Sequence, residues 1–283
     1  MKIAHLILCH AGPRQLERLI RRLVHTDAWC YIHLDNKAAI EPFLSLQELP
    51  NVSFVKNRVS VHWGGYSIVQ ATLNGFGEIL SSGLGFTHVN LLSGQDYPLK
   101  STDAIHKFFD HSPGRTFMHT LSVVNEWTEA LPRITKYHLA NMNFPGKYKA
   151  ERLINAVMPV RKFPEQLVPV GRSQWFTIIA EHAAYIIEYL ARNKKVVDFF
   201  KLSWAPDEMI FQTVLYNSVH KEQMVNDNLR YIDWSAGGSS PKVLTMSDAA
   251  ALTQSDKLFA RKFNPTIDSA ILDHLDKSAL LNH

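Results

Sequence analysis

The chain has 283 residues, 46% of them apolar, with ordinary glycine and proline content and no low-complexity tract, which excludes a disordered or fibrous protein. Thirty Lys and Arg against 26 Asp and Glu give a net charge of +4 spread along the chain, which excludes a nucleic-acid arm and suits a phosphate-bearing substrate. No period recurs, so one domain spanning residues 1–283 is expected.

The first apolar run, Ile3–Cys9, is too short to span a bilayer and lacks a small-residue cleavage site, so it reads as the first strand of a cytoplasmic protein. Gln15–Val24 has helical spacing, with Arg14, Arg18, Arg21 and Arg22 on a solvated face opposite Leu16, Leu19, Ile20 and Leu23. Trp29–Asp35 and Val52–Val55 read as strands and Ser67–Ser81 as a helix. Thr87–Leu92 is a buried strand, Ser101–Asp110 a helix capped by Ser101 or Thr102, and Phe117–Val123 a strand. This alternation predicts an α/β protein with a mostly parallel central sheet covered by helices on both faces. Cys9 and Cys30, the only cysteines, sit in apolar strands and read as buried free thiols.

The text from Asn125 to Arg172 is rich in Arg, Lys, Tyr, Asn and Pro, which predicts long loops and short helices. Gln174–Ile179 reads as a strand, Glu181–Ala191 as a helix, and Pro206 opens another. Arg230–Trp234 and Lys242–Leu244 are short strands, and Pro265–Leu281 is a closing helix.

Open α/β sheets bind ligands outside the carboxyl ends of their strands. Asp35 ends the second strand, where a carboxylate accepts from a ribose hydroxyl or a base N–H; an Asx cap explains it equally well, and His33 beside it reads as a satisfied core histidine. Trp63-Gly64-Gly65 offers turn amides and a flat indole wall, although a turn plus a helix cap accounts for it too. The run Asn90–Leu99 ends in Ser93, Gln95, Asp96 and Tyr97, donors and acceptors suited to a polyhydroxyl ligand. In Pro206-Asp207-Glu208 two adjacent acids head an apolar run, either as capping charges or as chemistry.

No phosphate loop, dinucleotide glycine fingerprint, nucleophile elbow, His-Glu-x-x-His or Asp-x-Asp occurs. A diphosphate would then be neutralised by cations, for which Lys242 and the Arg261-Lys262 pair, set between aromatic residues, are candidates. A glycoside hydrolase needs two carboxylates across the scissile bond, and neighbours such as Asp207 and Glu208 would diverge on a helix.

Taken in order, His33-Leu34-Asp35, Trp63–Ser67, Asn90–Leu99, Gly171–Phe176, Pro206-Asp207-Glu208 and Leu258–Phe263 resemble the core-2/I-branching enzyme family, which comprises β-1,6-N-acetylglucosaminyltransferases and peptide O-xylosyltransferases. The resemblance covers nearly the whole chain, each motif weak alone and the series of six specific. It implies a GT-A-like fold in which residues 1–123 form the nucleotide-binding half and 124–283 the acceptor and catalytic half. It also implies an inverting, metal-independent transfer of a sugar, N-acetylglucosamine first and xylose as the alternative, from a UDP-sugar to a glycan or glycoconjugate. By the same resemblance Glu208 is the general base. Lys262 binds the diphosphate, with Lys242 or Arg261 as its partner. The segment around Asp35, with His33, and the Trp63-Gly64 turn correspond to the nucleotide pocket, Ser93, Gln95 and Asp96 are expected to bind substrate as well, and Ser173, Gln174 and Trp175 line the donor-sugar and acceptor side. Eukaryotic members of that family carry a Golgi anchor and disulfides, whereas this sequence reads as having neither an anchor nor paired cysteines, so a bacterial member working in the cytoplasm, open to peripheral association with the membrane's inner face, is expected. A non-catalytic glycan- or sugar-nucleotide-binding protein is the alternative of another class.

Overall fold

The computed structural model describes residues 1–164 and 167–281. Its strands, in chain order, are β1 Ile3–Cys9, β2 Ala28–Leu34, β3 Val52–Phe54, β4 His88–Ser93, β5 Tyr97–Pro98, β6 Thr116–Phe117, β7 Thr120–Ser122, β8 Val170–Arg172, β9 Thr177–Ile179, β10 Met224–Val225, β11 Arg230–Ile232 and β12 Phe259–Arg261. The α-helices are α1 Pro13–Arg21, α2 Ser67–Ser81, α3 Thr102–Asp110, α4 Leu131–Thr135, α5 Lys147–Val157, α6 Ala180–Arg192, α7 Lys194–Lys201, α8 Ile210–Tyr216, α9 Ala249–Gln254 and α10 Ala270–Leu281.

Seven strands form the central sheet in the order β10-β6-β9-β4-β1-β2-β3, parallel except for β9, which runs antiparallel to both β4 and β6. This is the expected α/β class with a mostly parallel sheet. Strands from both sides of residue 123 share it. A parallel strand covered on both faces is apolar on both, and β1 shows why. Ile3 and Ile7 enter one hydrophobic cluster with Leu16, Leu19 and Ile20 of α1, Phe109 of α3 and Leu272 of α10. Ala4 and Leu6 enter the opposite cluster with Val69 and Phe76 of α2, Ile186 of α6, Phe200 of α7 and Phe211 of α8. Period-two alternation thus feeds two cores at once.

Polar groups inside the sheet are matched to one another. The His5 ring meets Asn90 at 3.0 Å, and Asn90 Oδ1 accepts from the Thr177 hydroxyl at 2.9 Å. Burial, with nearby positive groups, holds His5 neutral, its pKa lowered to about 3. Cys9 and Cys30 are free and buried, and desolvation pushes both thiols up to about 12.

Several elements differ from the sequence reading. Phe117–Val123 is not one strand: β6 stays in the central sheet, while β7 leaves it to pair antiparallel with β8. Lys242–Leu244 is extended without being a strand, tied by Lys242 N to Asp233 O at 2.8 Å and Leu244 N to Lys262 O at 2.9 Å. The Gln174–Ile179 strand shortens to Thr177–Ile179, with residues 173–176 left as a loop. Ser101, not Thr102, caps α3, its side chain accepting from Ala104 N. The arginine face of α1 is only partly solvated, because Arg18 reaches Asp273 at 2.6 Å and Asp276 at 2.7 Å on α10. Asp276 also accepts from the Tyr97 hydroxyl at 2.6 Å.

Two glycines on α2 separate packing from propensity. A Cβ at Gly75 would overlap the fully buried Leu6 side chain, whereas one at Gly77 would meet nothing within 4 Å. Gly77→Ala should stabilise by up to ~1 kcal/mol through helix propensity. Gly75→Ala gains the same but incurs overpacking of about 1–3 kcal/mol, for a net loss. Chemical denaturation of the two variants is expected to move their midpoints in opposite directions.

Candidate active site

The loop 173–176 enters β9 at the edge where the parallel strands end, because Asn90 of β4 lies opposite Thr177. There a cleft of about 750 Å³ opens, within the roughly 300–1,000 Å³ typical of small-molecule sites. Trp63, Trp127, Trp175, Trp204 and Trp234 line it, five of the six tryptophans of the chain. Each offers a flat apolar face with one N–H donor, which fits a ligand with C–H faces and a hydroxylated rim.

Glu208 faces this cleft from a turn held on two sides. Ala205 adopts a left-handed conformation (φ 47°) and donates its N–H to Gly64 O at 2.8 Å, so the Trp-Gly-Gly turn and the acid segment are fastened together. Gly64 itself has φ 71°, and a Cβ there would lie 2.8 Å from the Trp204 indole. On the other side, a Cβ on Gly171 of β8 would overlap the Glu208 carbonyl oxygen and sit 2.8 Å from Met209. Pro206–Glu208 form a separate 3-10 turn and α8 starts only at Ile210, which corrects the expectation that both acids lie in the first turn of a helix.

The two acids part in environment. The Glu208 side chain is 27% exposed and ion-paired through Oε2 with Arg133 Nη1. Arg133 lies 4.7 Å over the Trp127 ring, and Arg172, paired with Glu129 at 2.9 Å, lies 5.5 Å over the same ring. Asp207 is buried, and its Oδ1 has no hydrogen-bond partner. Burial first, and the Glu208 charge second, push its pKa up to about 7.

The cleft floor is cationic and buried. Arg230 is held by Thr177 Oγ1 at 3.2 Å, by the carbonyls of Leu91 at 3.1 Å and Phe176 at 3.0 Å, and by Asn90 and Asn228 O. Arg261 lies 3.1 Å from Asp96 and 4.2 Å over the Trp175 ring. Burial raises the Asp96 carboxyl and lowers the Arg261 guanidinium, each only partly offset by the other's charge. Lys257 pairs with Asp227 at 2.7 Å. Among the described residues, no group of three or more His, Cys, Asp or Glu is placed to hold a metal ion.

Of the residues singled out in the sequence, Glu208, Trp63, Gly64, Ser173, Gln174, Trp175 and Arg261 line the cleft. His33, Asp35, Ser93, Gln95, Asp96, Lys242 and Lys262 do not. His33 is buried with Nε2 accepting from Val59 N at 3.0 Å, so it serves the core and is out of reach of a ligand. Asp96 is fully buried, its Oδ2 accepting from Ser93 N at 3.0 Å, so it orients Arg261 and is likewise out of reach. Lys242 is engaged by Asp248 at 2.6 Å, which makes it a poor free cation. Asp35 Oδ1 accepts from Lys37 N at 2.9 Å, the Asx arrangement.

Asp35, Gln95 and Lys262 nevertheless gather at a second place, where β1 lies between β2 and β4. Asp35 N bonds Cys9 O at 2.8 Å, Gly94 N bonds Leu8 O at 3.0 Å and Phe263 N bonds Gln95 O at 2.9 Å. The chain leaves β1 toward β2 on one side and has β4 on the other, the switch point at which doubly wound sheets take nucleotides. No carboxylate pairs with Lys262 among the described residues. The sequence reading missed Arg133, Trp127 and Arg230. Arg133 and Trp127 lie in the stretch without periodicity, and Arg230 reads as an ordinary strand residue.

An α/β scaffold with an aromatic, acid-bearing cleft beside its switch point defines the class. The model of the Core-2/I-Branching enzyme family matches residues 3–256, and the chain belongs to that family. It is 25% identical to rat xylosyltransferase 2 over 98% of this chain and 33% of that one. Identity to Drosophila melanogaster xylosyltransferase oxt is 26%, again over 98% of this chain and 33% of the relative. The chain thus spans about a third of the length of these relatives. The solved apo structure of mouse xyloside xylosyltransferase 1 matches at a TM-score of 0.44 and 13% identity, covering 92% of this chain and 97% of that one.

Asp207 makes stability pH-dependent. Its folded pKa is raised, so the fold binds this proton more tightly than the unfolded chain does, and stability is lost as pH rises from the ordinary carboxylate range through about 7. Asp207→Asn removes the ionisation. Thermal melts should show the variant gaining on the wild type between about pH 4 and pH 8; parallel curves would refute the assignment.

Proposed function

We propose that the chain is an inverting glycosyltransferase that moves a sugar from a UDP-sugar to a hydroxyl of a glycan or glycoconjugate, with Glu208 as general base. The observation that carries this reading is the placement of Glu208: a partly exposed carboxylate, fixed by Arg133, at the wall of a tryptophan-lined cleft. Its Oε1 has no partner among the described residues and is free to accept the acceptor hydroxyl's proton as that oxygen attacks the anomeric carbon. Asp207, buried at the cleft wall beside it, is given no part in the proton transfer.

Departure of the diphosphate needs positive charge at the switch point. Lys262 supplies it, with Arg261 adding a positive field that Asp96 partly cancels. Lys242 supports the neighbouring segment through Asp248 and takes no direct part. The uridine and ribose lie by Asp35 and Gln95, and the sugar extends past Trp175 into the cleft. This scheme neutralises the leaving group without a metal, in keeping with the missing Asp-x-Asp. N-acetylglucosamine is the first donor on the sequence resemblance; xylose is the second reading, favoured by the names of the relatives.

Removing a general base typically lowers the rate ~10²- to 10⁴-fold. Glu208→Gln should therefore lose that much turnover while UDP binding, followed by calorimetry, changes little. Full turnover in the variant would sink the assignment. In a panel of UDP-sugars, one donor should raise the melting temperature and be transferred or slowly hydrolysed. That activity should persist in EDTA; its loss in EDTA and return with Mn²⁺ would overturn the metal-independent scheme.

A further inference from the structure

Helix α5 is a surface element with an unusual outer face. None of its side chains is fully buried, yet it is held in place, because Glu151 accepts from Leu139 N at 2.9 Å and Asn155 accepts from Tyr137 N at 2.8 Å. Those two residues, one turn apart, define the inward face. Tyr148, Leu153 and Val157 project outward, 77%, 64% and 72% exposed, and Met142, Phe144 and Val160 continue the apolar surface on either side. Lys149, Arg152 and Lys162 are exposed among them. Within residues 142–164 the one acid is Glu151, and it is turned inward toward His138 at 3.3 Å.

We propose that this face docks on an anionic phospholipid bilayer. Protruding aliphatic side chains interleaved with cations are the arrangement of helices that lie in a membrane interface: the apolar groups enter the acyl boundary and the cations stay with the headgroup phosphates. Charge complementarity selects the occupant, since among the described residues 142–164 the outward cations have no outward carboxylate beside them. A nucleic acid would leave Leu153, Val157 and Val160 with nothing to pack on, and protein interfaces are depleted in lysine. Among the described residues no helix is long and apolar enough to cross a membrane, and α5, at 11 residues, would lie along the interface. On its inner side α5 is linked to the cleft rim through His138, whose ring lies 6.3 Å from that of Trp204. The inference stands independently of the transfer chemistry.

The test is sedimentation of the whole chain with vesicles of phosphatidylcholine alone and of phosphatidylcholine mixed with phosphatidylglycerol. Binding to the mixed vesicles, weakened by salt and near background on phosphatidylcholine alone, is expected. Leu153→Ser with Val157→Ser, and separately Lys149→Glu with Arg152→Glu, should each weaken it roughly tenfold or more. Circular dichroism and melting temperature, matched to wild type, verify folding, and the two pairs check each other if one fails to fold. Equal binding to both vesicle types, binding indifferent to both pairs, or no binding would overturn the proposal. So would a dimer in analytical ultracentrifugation that Leu153→Ser with Val157→Ser dissolves, which would assign the face to a second copy of the chain.

Discussion

A buried guanidinium, that of Arg230, holds together the parts from which the cleft is made. Starting from the first residue of β11, it reaches Asn90 and Leu91 on β4 and Phe176 and Thr177 at the entrance to β9. Those contacts join the seven-stranded sheet to the three-stranded sheet of β11, β12 and β5, at the point where the chain enters β9 to pair with β4. Oxygen atoms of neutral groups satisfy the charge, and the nearest carboxylate influence comes from Asp96, which is already paired with Arg261. Such a group is costly to bury unless its donors are used; both terminal nitrogens are bonded while Nε has no partner among the described residues, so the carbonyls around the terminal nitrogens are committed to one arrangement.

The acid pair illustrates how neighbouring residues of the same chemistry are divided by a turn. The 3-10 geometry buries the Asp207 side chain and leaves that of Glu208 27% exposed at the cleft, and Gly171 allows β8 to lie against the Glu208 carbonyl and Met209. An α-helical first turn would have exposed both to solvent and to the same dipole. The left-handed Ala205 and the Gly64 carbonyl that receives its N–H set the angle at which the turn begins. Backbone conformation, more than side-chain type, assigns the two roles.

Much of the fold was legible because its signals are local and repeated. Apolar runs such as Ile3–Cys9 and the helical spacing of Ser67–Ser81 report burial on two faces and one face respectively. What depended on long-range pairing was not legible. The break between β6 and β7 leaves no mark in Phe117–Val123, since both parts are extended and only their partners differ. Lys242 reads as a free cation until Asp248, six residues on, is seen to hold it. Arg133 lies 75 residues from Glu208, in text with no period, and no local pattern connects them. Trp63, Ser173 and Glu208, which line the cleft, were singled out through motif strings that resemble a family; the residues that contact them sit in ordinary strings.

The two cysteines carry a practical consequence. Cys9 and Cys30 lie in the adjacent central strands β1 and β2, with thiols whose deprotonation is strongly suppressed. It is the thiolate that attacks thiol-directed reagents, so the folded native chain is close to inert toward them. A single cysteine placed by design on the cleft rim or on α5 would therefore take up a probe selectively, with no need to disturb the sheet by removing the native pair.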